Sequence, residues 1–316
     1  MSDSVNANSE KSSDRSTDDL RASLKQSVAN RAAMLKRFGF MPLSVLTLSR
    51  GALHKSLFHY AGDMNVSANM KNNNKEKQAR LAEAGYASAS ASPSNRGAGR
   101  GKPGLSIMAA ELVEFFIKYY ARPNDVYLDP FMGQGVRMQV AKLMRLHYYG
   151  YDISHEFFTY VSAIKDQIDD KQTTISVTCA DSRYPTEIPD NIGDFSFHSP
   201  PYWDIEFYGS ESGQLGYHQS YEDFLARMQQ VATAWLPKFK TGAYHIVNVN
   251  DFRKNGKFYS YHCDTINLFT RAGWVLTDTW IISGLVGGMS KAFAVDFNLQ
   301  RIAPKLHEYA LVFRKP

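Results

Sequence analysis

The segment VYLDPFMGQGVRMQVAKL (126–143) decides the fold, because a short apolar run, a glycine-containing turn and a helical pattern follow one another in it without a break. Val126–Leu128 is predicted to be a buried strand, and a helix is predicted from about Val136 to Leu146. The glycines of DPFMGQG (129–135) let the backbone approach a ligand closely, and the following helix presents free N–H groups at its first turn. The segment therefore predicts a ligand-binding strand–turn–helix unit.

The alternation of strands and helices continues on both sides of this unit. Further helices are predicted at residues 107–120, 156–168, 221–236 and 261–272, and further strands at 148–151, 175–178, 195–198, 243–249, 274–282 and 309–313. Such alternation is typical of a mostly parallel sheet covered by helices, and the last two strands resemble an antiparallel edge pair. We therefore predict an α/β fold with a Rossmann-like, doubly wound, mostly parallel sheet and an antiparallel edge strand.

The composition excludes several classes of protein. With 316 residues, of which 44% are hydrophobic and 13% aromatic, the chain can form a full-sized core, which excludes a wholly disordered or fibrous protein. No apolar run approaches the roughly 18 residues of a membrane span, so no membrane partner is expected. The N-terminal residues lack the apolar segment of a secretory signal, so a cytoplasmic location is expected. Cys179 and Cys263 give no disulfide framework and no Cys/His cluster has zinc spacing, so no metal is expected.

The net charge of +5 is unevenly distributed along the chain. Residues 21–104 hold 14 Lys and Arg against 3 Asp and Glu, whereas residues 105–316 hold 20 against 23. Because neutralising phosphates releases counterions, such a basic segment indicates a polyanionic partner, although a merely solvated arm is the alternative. We predict a disordered tail at 1–20, a basic N-terminal extension and linker at 21–104, and the α/β domain at 105–316.

Acidic side chains follow three successive predicted strands, at the edge where open α/β sheets bind ligands. Asp129 opens the glycine turn, and Asp152 comes 23 residues later, where a carboxylate is placed to accept hydrogen bonds from ribose hydroxyls. Asp181 follows the next strand and can accept from an adenine amino group. A single Asp at such a place is more often a turn or cap residue. Three together favour a nucleoside-containing cofactor.

The sequence SPPY (199–202) follows the strand at 195–198. Two successive prolines cannot continue a sheet, so the chain must leave it in a stiff, extended turn. A rigid loop with a half-buried tyrosine is the structural alternative. At the edge that carries the glycine turn, however, a hydroxyl, an exposed carbonyl and an aromatic ring suit a planar amine. His198, which ends the strand, is predicted to be packed rather than to act as a base.

The series DPFMGQG, YDIS, ADSR and SPPY resembles the motifs of S-adenosylmethionine-dependent methyltransferases that act on exocyclic amino groups of DNA. GKPGLSIM (101–108) takes the place of the segment that closes over the cofactor in that family. RFGFMPLSVL (37–46), NDFRKNGKFYSYHCDTI (250–266) and KLHEYALVFRK (305–315) are similar to phage-encoded DNA methylases. The resemblance extends from about Arg37 to the end and makes residues 105–316 the expected methyltransferase domain.

The resemblance implies roles for individual residues. S-adenosylmethionine is the expected cofactor, with the methionine part held at the turn and its nucleoside part held by carboxylates. The residues implied in cofactor binding are Asp129, Pro130, Phe131, Gly133, Gly135, Asp152 and Asp181. Of these, Asp129 is expected near the amino group of the cofactor. The residues implied in catalysis are Ser199, Pro200, Pro201 and Tyr202, which would hold a base flipped out of double-stranded DNA.

The resemblance also implies a direct transfer. Hydrogen bonds from the target amine to Ser199 and to the Pro200 carbonyl would free the nitrogen lone pair to attack the sulfonium methyl, so catalysis is positioning and electrostatics. Methylation at cytosine carbon 5 is disfavoured, because neither cysteine follows a proline. The serine of SPPY favours cytosine N4 slightly over adenine N6. The alternatives are an RNA or protein amino-methyltransferase and an inactive DNA-binding module.

The interval between the two motifs bears on how DNA would be recognised. Residues 136–198 are filled by predicted helices and strands, so they leave no room for a target-recognition domain. The remaining candidates for reading the sequence are the basic extension and the segments 203–220 and 283–305. A restriction partner is possible but is not predicted by any motif.

Overall fold

The computed structural model of the protein describes residues 29, 32–34, 36–37, 44–47, 108–169, 171–205, 211–216, 220–283 and 307–316. The chain divides into two compact units, Met1–Val45 and Leu46–Pro316. In the first unit, residues 29, 32–34 and 36–37 are helical. The predicted tail and the linker that ends at residue 104 lie outside the described residues, so the division into three regions stays a prediction.

The second unit is built on a sheet whose strands come from the whole length of the unit. The strands of this sheet are β1 (Val45–Thr47), β2 (Val126–Asp129), β3 (His147–Asp152), β4 (Ile175–Cys179), β5 (Gly193–His198), β6 (Phe239–Val249), β9 (Val275–Ser283) and β10 (His307–Arg314). Two further strands, β7 (Phe252–Lys254) and β8 (Lys257–Tyr259), pair with each other as a hairpin. The order across the sheet is β1-β9-β10-β6-β5-β2-β3-β4.

The pairing of the strands confirms the predicted fold. Strands β2 to β6 pair in parallel with one another, whereas β10 runs antiparallel to both β6 and β9. The sheet is therefore mostly parallel, with antiparallel pairing toward one edge. Because β2 lies between β3 and β5, the chain order reverses at β2, and in open α/β sheets ligands bind in the crevice at such a point.

Five helices flank the sheet in the described part of the second unit. They are α1 (Ala110–Tyr120), α2 (Val136–Leu143), α3 (His155–Ile168), α4 (Tyr221–Trp235) and α5 (Tyr261–Arg271). The side chains of Ser154 and Ser220 cap α3 and α4 by accepting hydrogen bonds from backbone N–H groups of the first turn. None of the described helices has the length and apolarity needed to cross a membrane.

Helix α4 packs an apolar face into the core. Phe224, Met228, Val231 and Trp235 recur at helical spacing and are all buried. The Trp235 indole N–H also donates a 2.7 Å hydrogen bond to the carbonyl of Ser182, which follows β4. This helix therefore fixes the backbone next to Asp181 as well as contributing to the core.

Candidate active site

A cavity of about 390 Å³ lies at the carboxyl ends of the parallel strands. Its walls come from the turn after β2, the ends of β3 and β4, the SPPY turn after β5 and the segment after β6. Small-molecule sites usually have volumes of roughly 300–1,000 Å³. The cavity therefore has the size and the place in the fold of a ligand site at a switch point.

The glycine turn reaches the cavity through Gly133, whose backbone has φ +52°. Its N–H donates a 2.9 Å hydrogen bond to Asp152 Oδ2, so the turn is tied to the end of β3. Gly135 has φ +76° and begins α2, and a Cβ atom there would lie 3.0 Å from Val161 Cγ2 on α3. This glycine is thus required both by its left-handed conformation and by the close approach of α3.

Asp129 lies behind the turn rather than at the surface of the cavity. It is fully buried, and its carboxylate accepts hydrogen bonds from Arg137 Nε at 2.6 Å, from the Tyr148 hydroxyl at 2.7 Å and from the Phe131 N–H at 3.1 Å. The resemblance implied a place for Asp129 near the cofactor amino group. The structure gives the carboxylate other partners, because both of its oxygens are engaged by the turn and by neighbouring side chains.

The charged side chain that reaches the cavity here is that of Arg137. It also donates a hydrogen bond to the Phe131 carbonyl. Burial alone would lower the pKa of Arg137, but the nearby Asp129 carboxylate raises it, so the guanidinium group stays charged. Sequence reasoning missed Arg137, although a cation in the first turn of a mostly apolar helix, directly after a glycine turn, was a usable signal. Pro130 likewise supports the turn, since its carbonyl accepts a hydrogen bond from the Ser182 hydroxyl.

Asp152 and Asp181 both line the cavity, as their positions at the ends of β3 and β4 predicted. The Asp152 oxygens accept hydrogen bonds from Gly133 N–H and from Ser154 N–H, both at 2.9 Å. Burial raises the pKa of Asp152 to about 6, although these two hydrogen bonds favour the ionised form. The carboxyl group is therefore charged at neutral pH and becomes neutral in mild acid.

Asp181 is held from two sides. Its carboxylate forms an ion pair with Arg183 Nη2 at 2.5 Å and accepts a 2.9 Å hydrogen bond from Arg183 N–H. On the other side, the segment 211–216 packs so closely that a Cβ atom on Gly213 would lie 2.8 Å from Asp181 Oδ2. Gly213 and Gln214 also line the cavity, so this segment forms one wall of it.

All four residues of the SPPY turn line the same cavity. The Tyr202 ring is held edge-on between Tyr261 and Phe252, with ring centroids 5.9 and 6.4 Å apart. The Tyr261 hydroxyl lies 3.5 Å from the Pro201 carbonyl oxygen, and Tyr261 is itself fully buried. The turn thus rests on an aromatic cluster that fixes its shape, as expected for a rigid element.

His198, directly before the turn, is packed as predicted. It is 1% exposed, and its Nε2 lies 2.8 Å from Nε2 of His245 on β6. Burial lowers the pKa of His198 well below its usual value and lowers that of His245 to about 3. The pair is therefore neutral at physiological pH and belongs to the core beneath the turn.

Polar residues missed by sequence reasoning line the cavity beyond the SPPY turn. Asn248, Asn250 and Asp251 lie at and after the end of β6, and Glu308 lies at the start of β10. Asn248 Nδ2 donates a 2.7 Å hydrogen bond to Glu308 Oε2, while Asp251 Oδ1 is 2.6 Å from Nδ1 of His262. A clue was the dense polar run NVND (248–251) at the end of an apolar strand.

Comparison with known families agrees with the motifs that meet in this cavity. Residues 51–164 match the model of a family described as DNA methylase, of the N6/N4 type, and the match includes the glycine turn and Asp152. The resemblance to the N4/N6 amino-methyltransferases is confirmed. No curated protein matches the chain significantly.

Solved structures of methyltransferases and one cyclase have similar folds. TrmN from Thermus thermophilus is 15% identical over 66% of this chain and 49% of its own, with a TM-score of 0.44. A putative rRNA-methylase from Clostridium thermocellum is 9% identical over 66% of this chain and 100% of its own, with a TM-score of 0.45. The [4+2]-cyclase SpnF is 15% identical over 69% of this chain and 84% of its own, with a TM-score of 0.46. The chain thus spans about half the length of TrmN. Its similarity to the DNA methylases rests on the match to residues 51–164.

Proposed function

We propose that the protein transfers a methyl group from S-adenosylmethionine to the exocyclic amino group of a base flipped out of double-stranded DNA. The observation that carries this proposal is that a single cavity is lined both by the cofactor-binding candidates Gly133, Asp152 and Asp181 and by the turn Ser199–Tyr202. A cofactor and an amine that share one cavity can be brought into contact for direct transfer. The match to the DNA methylase family supports the same reaction.

The residues at the β2–β4 side of the cavity fit S-adenosylmethionine. Gly133 offers backbone without a side chain, and a Cβ atom there would have its nearest non-adjacent neighbour 3.9 Å away, so the space in front of the turn is open. Asp152 retains lone pairs for ribose hydroxyls, and Asp181 lies beside it for the adenine edge. Bound there, the cofactor supplies an electrophilic sulfonium methyl group.

The chain's own residues would act on the amine. The Ser199 hydroxyl and the Pro200 carbonyl accept hydrogen bonds from the amino group, which draws its nitrogen toward tetrahedral geometry and localises the lone pair. The Tyr202 ring, fixed between Tyr261 and Phe252, stacks on the heterocycle. Because the Ser199–Tyr202 turn is rigid, these acceptors are in place before the amine arrives, which is how fixed dipoles lower a barrier.

The target is an amino group of cytosine or adenine. Serine at position 199 slightly favours cytosine N4, by resemblance to the family, with adenine N6 close behind. No cysteine is required for such a transfer, and among the described residues no group of three or more His, Cys, Asp or Glu side chains is arranged to hold a metal ion.

Double-stranded DNA as the partner is supported by charge near the cavity. Phe252, at the start of β7, lines the cavity, and the β7–β8 hairpin exposes Arg253 and Lys257 to solvent. The basic extension at 21–104 is a second candidate for gripping phosphates. A phage origin and a cytoplasmic location stay predictions from the sequence.

The test is a transfer experiment with tritiated S-adenosylmethionine. The protein is incubated with unmodified double-stranded DNA, the DNA is digested to nucleosides, and the labelled nucleoside is identified. Label in N4-methylcytosine or N6-methyladenine supports the proposal and decides the base. Label in RNA or protein substrates but not in DNA would overturn it in favour of another amino-methyltransferase, and binding of DNA without transfer to any substrate would indicate an inactive binding module.

A further inference from the structure

The cavity has two halves, divided at the strands β2 and β5. Gly133, Asp152 and Asp181 come from the β2–β4 half, which the proposed function assigns to the cofactor. The other half, beyond the SPPY turn, is formed by the end of β6 and the start of β10. Polar groups in that half are therefore placed to meet the substrate rather than the cofactor.

The register of the sheet aligns Asn248 with the catalytic turn. His198 on β5 pairs with Val247 on β6, and the residue that follows each of them, Ser199 and Asn248, lines the cavity. On the opposite side of β6, Asn248 pairs with Ala310, and Glu308 is two residues before Ala310 on the antiparallel strand. A hydrogen bond of 2.7 Å from Asn248 Nδ2 to Glu308 Oε2 joins the two side chains at the cavity wall.

This pair has hydrogen-bonding capacity left for a ligand. Asn248 is 4% exposed, and its Oδ1 has no hydrogen-bond partner among the residues that the structure describes. Leaving a buried polar atom without a partner destabilises a protein, so such an atom in a cavity wall indicates a missing donor. Oε1 of Glu308 likewise accepts no hydrogen bond from the part of the chain that the structure describes, since Asn248 Nδ2 bonds to Oε2.

The protonation of Glu308 decides what the pair can offer. Burial raises the pKa of Glu308, while the hydrogen bond from Asn248 opposes this shift. The titratable groups nearest to it in the sheet are His307 and Tyr309 on β10, Asp251 after β6 and His262 on α5, and Asp251 is already hydrogen-bonded to His262. A neutral Glu308 carboxyl donates one hydrogen bond, next to the acceptor Asn248 Oδ1.

We propose that Asn248 and Glu308 bind the amidine edge that cytosine and adenine share: Asn248 Oδ1 shares with the Ser199 hydroxyl one N–H of the amino group, as in a three-centre hydrogen bond, and the Glu308 carboxyl donates to the neighbouring ring nitrogen. This inference rests on the proposed function and adds a specificity site to it. An amino donor next to a ring acceptor occurs on the Watson–Crick edge of both bases. Thymine presents the opposite order, so the pair would reject it.

The experiment compares natural substrate with an analogue that lacks only the ring acceptor. Duplex DNA carries at the methylated position either the natural base or its deaza analogue, 3-deazacytosine or 1-deazaadenine, in which C–H replaces the ring nitrogen. kcat/KM is measured for the wild type and for Glu308→Gln, Glu308→Leu and Asn248→Leu. The preference of each enzyme is its kcat/KM for the natural base divided by its kcat/KM for the deaza analogue. The analogue changes the reactivity of the amine equally for every enzyme. Dividing the preference of the wild type by that of a variant therefore isolates the contact to the ring nitrogen.

We expect this preference to be about 10- to 100-fold larger in the wild type than in Glu308→Leu. Glu308→Gln keeps an N–H donor and should retain most of that preference. The rate of the wild type should fall as the pH rises through the raised pKa of Glu308, and that of Glu308→Gln should not. Asn248→Leu should lose part of the preference, because Glu308 then loses the partner that orients it.

The control is Glu114→Gln, a buried glutamate on α1 whose ion-pair partner is Lys118 and which does not line the cavity. It should keep the full preference. Affinity for S-adenosylmethionine, measured by calorimetry, reports whether each variant is folded. A Glu308→Leu protein that binds cofactor normally and keeps the wild-type preference overturns this inference alone, whereas a wild type that transfers no label to DNA overturns it together with the proposed function.

Discussion

Arg137 Nε on α2 donates a 2.6 Å hydrogen bond to Asp129 Oδ2 at the end of β2, and both side chains are buried. The same guanidinium group donates to the Phe131 carbonyl in the middle of the turn. The residues that precede, form and follow the turn are thus joined by one side chain. We infer that this pair holds Gly133 in its left-handed conformation at the cavity wall.

Replacing Arg137 by Met should therefore destabilise the protein and weaken cofactor binding. The substitution leaves the Asp129 carboxylate buried with one charge unmatched, and breaking such a pair costs about 3–5 kcal/mol. Urea unfolding should show this loss, and calorimetry should show weaker binding of S-adenosylmethionine. In the double variant Asp129→Asn with Arg137→Met, the loss of stability should be smaller, because no unpaired charge remains. Equal stability of Arg137→Met and the wild type would contradict the role of the pair.

Substitutions in the SPPY turn should separate transfer from cofactor binding. We expect Ser199→Ala and Tyr202→Ala to lower kcat by about 10²- to 10³-fold, the usual effect of removing one group that stabilises the transition state. Affinity for S-adenosylmethionine should remain near the wild-type value, because the implied cofactor contacts lie on β2, β3 and β4. Tyr202→Phe is the matched control, since it keeps the ring that packs against Tyr261. Loss of cofactor binding together with transfer would show that the roles are misassigned.

The pKa of Asp152 predicts a pH dependence of cofactor binding. Burial raises this pKa to about 6, so the carboxyl group is ionised at pH 7 and protonated below pH 6. Accepting two ribose hydroxyls requires the ionised form, and binding to one form weakens about tenfold for each pH unit below the pKa. Calorimetry between pH 5 and 8 should show constant affinity above about pH 7 and a progressive loss below pH 6.

The matched control for this pH dependence is Asp152→Asn. That variant should bind S-adenosylmethionine more weakly at pH 7, because one of the two acceptor oxygens of Asp152 is replaced by an NH₂ group, which only donates. Its affinity should hardly change between pH 5 and 8. A similar acid loss in the variant and the wild type would assign the titration to a different group.

The elements around the glycine turn were predictable because their signals are local. The prolines of SPPY end β5 within one residue of the predicted end, and Ser154 and Gly135 mark the starts of α3 and α2. By contrast, β6 begins at Phe239, four residues before the predicted start at Ala243. The residues Lys240–Gly242 interrupt the apolar pattern, but pairing with the chain end extends the strand, with Gly242 N–H bonded to the Lys315 carbonyl.

The parts of the site that were missed depend on pairing between distant segments. Asn248 and Glu308 are 60 residues apart and meet only because β10 inserts between β6 and β9. The β7–β8 hairpin is different, since its Asn255–Gly256 turn between alternating residues is a strong local signal that was overlooked. Both turn residues have positive φ, +51° and +75°, as a tight hairpin requires.

This hairpin should contribute to DNA binding. Arg253 lies opposite Phe258 on the solvent-exposed face, with its guanidinium carbon 5.0 Å from the ring centroid, and Phe258 is 43% exposed. Lys257 is exposed at the tip, whereas Lys254 is paired with Asp204 and lies over Trp203. Because the hairpin starts at the cavity, a DNA strand that places its base there would pass these cations.

The double variant Arg253→Ala with Lys257→Ala should therefore bind DNA more weakly and with less salt dependence. Each lost phosphate contact should reduce the slope of log K against log salt by about 1, so the expected reduction is between about 1 and 2. Lys171→Ala is the control, since its exposed side chain precedes β4 and therefore lies near the amino ends of the parallel strands, away from the cavity. Neutralising Lys71, Lys75, Lys77 and Arg80 tests the basic extension in the same assay. If only that second set changes the slope, phosphate binding belongs to the extension, and the hairpin does not contact the DNA backbone.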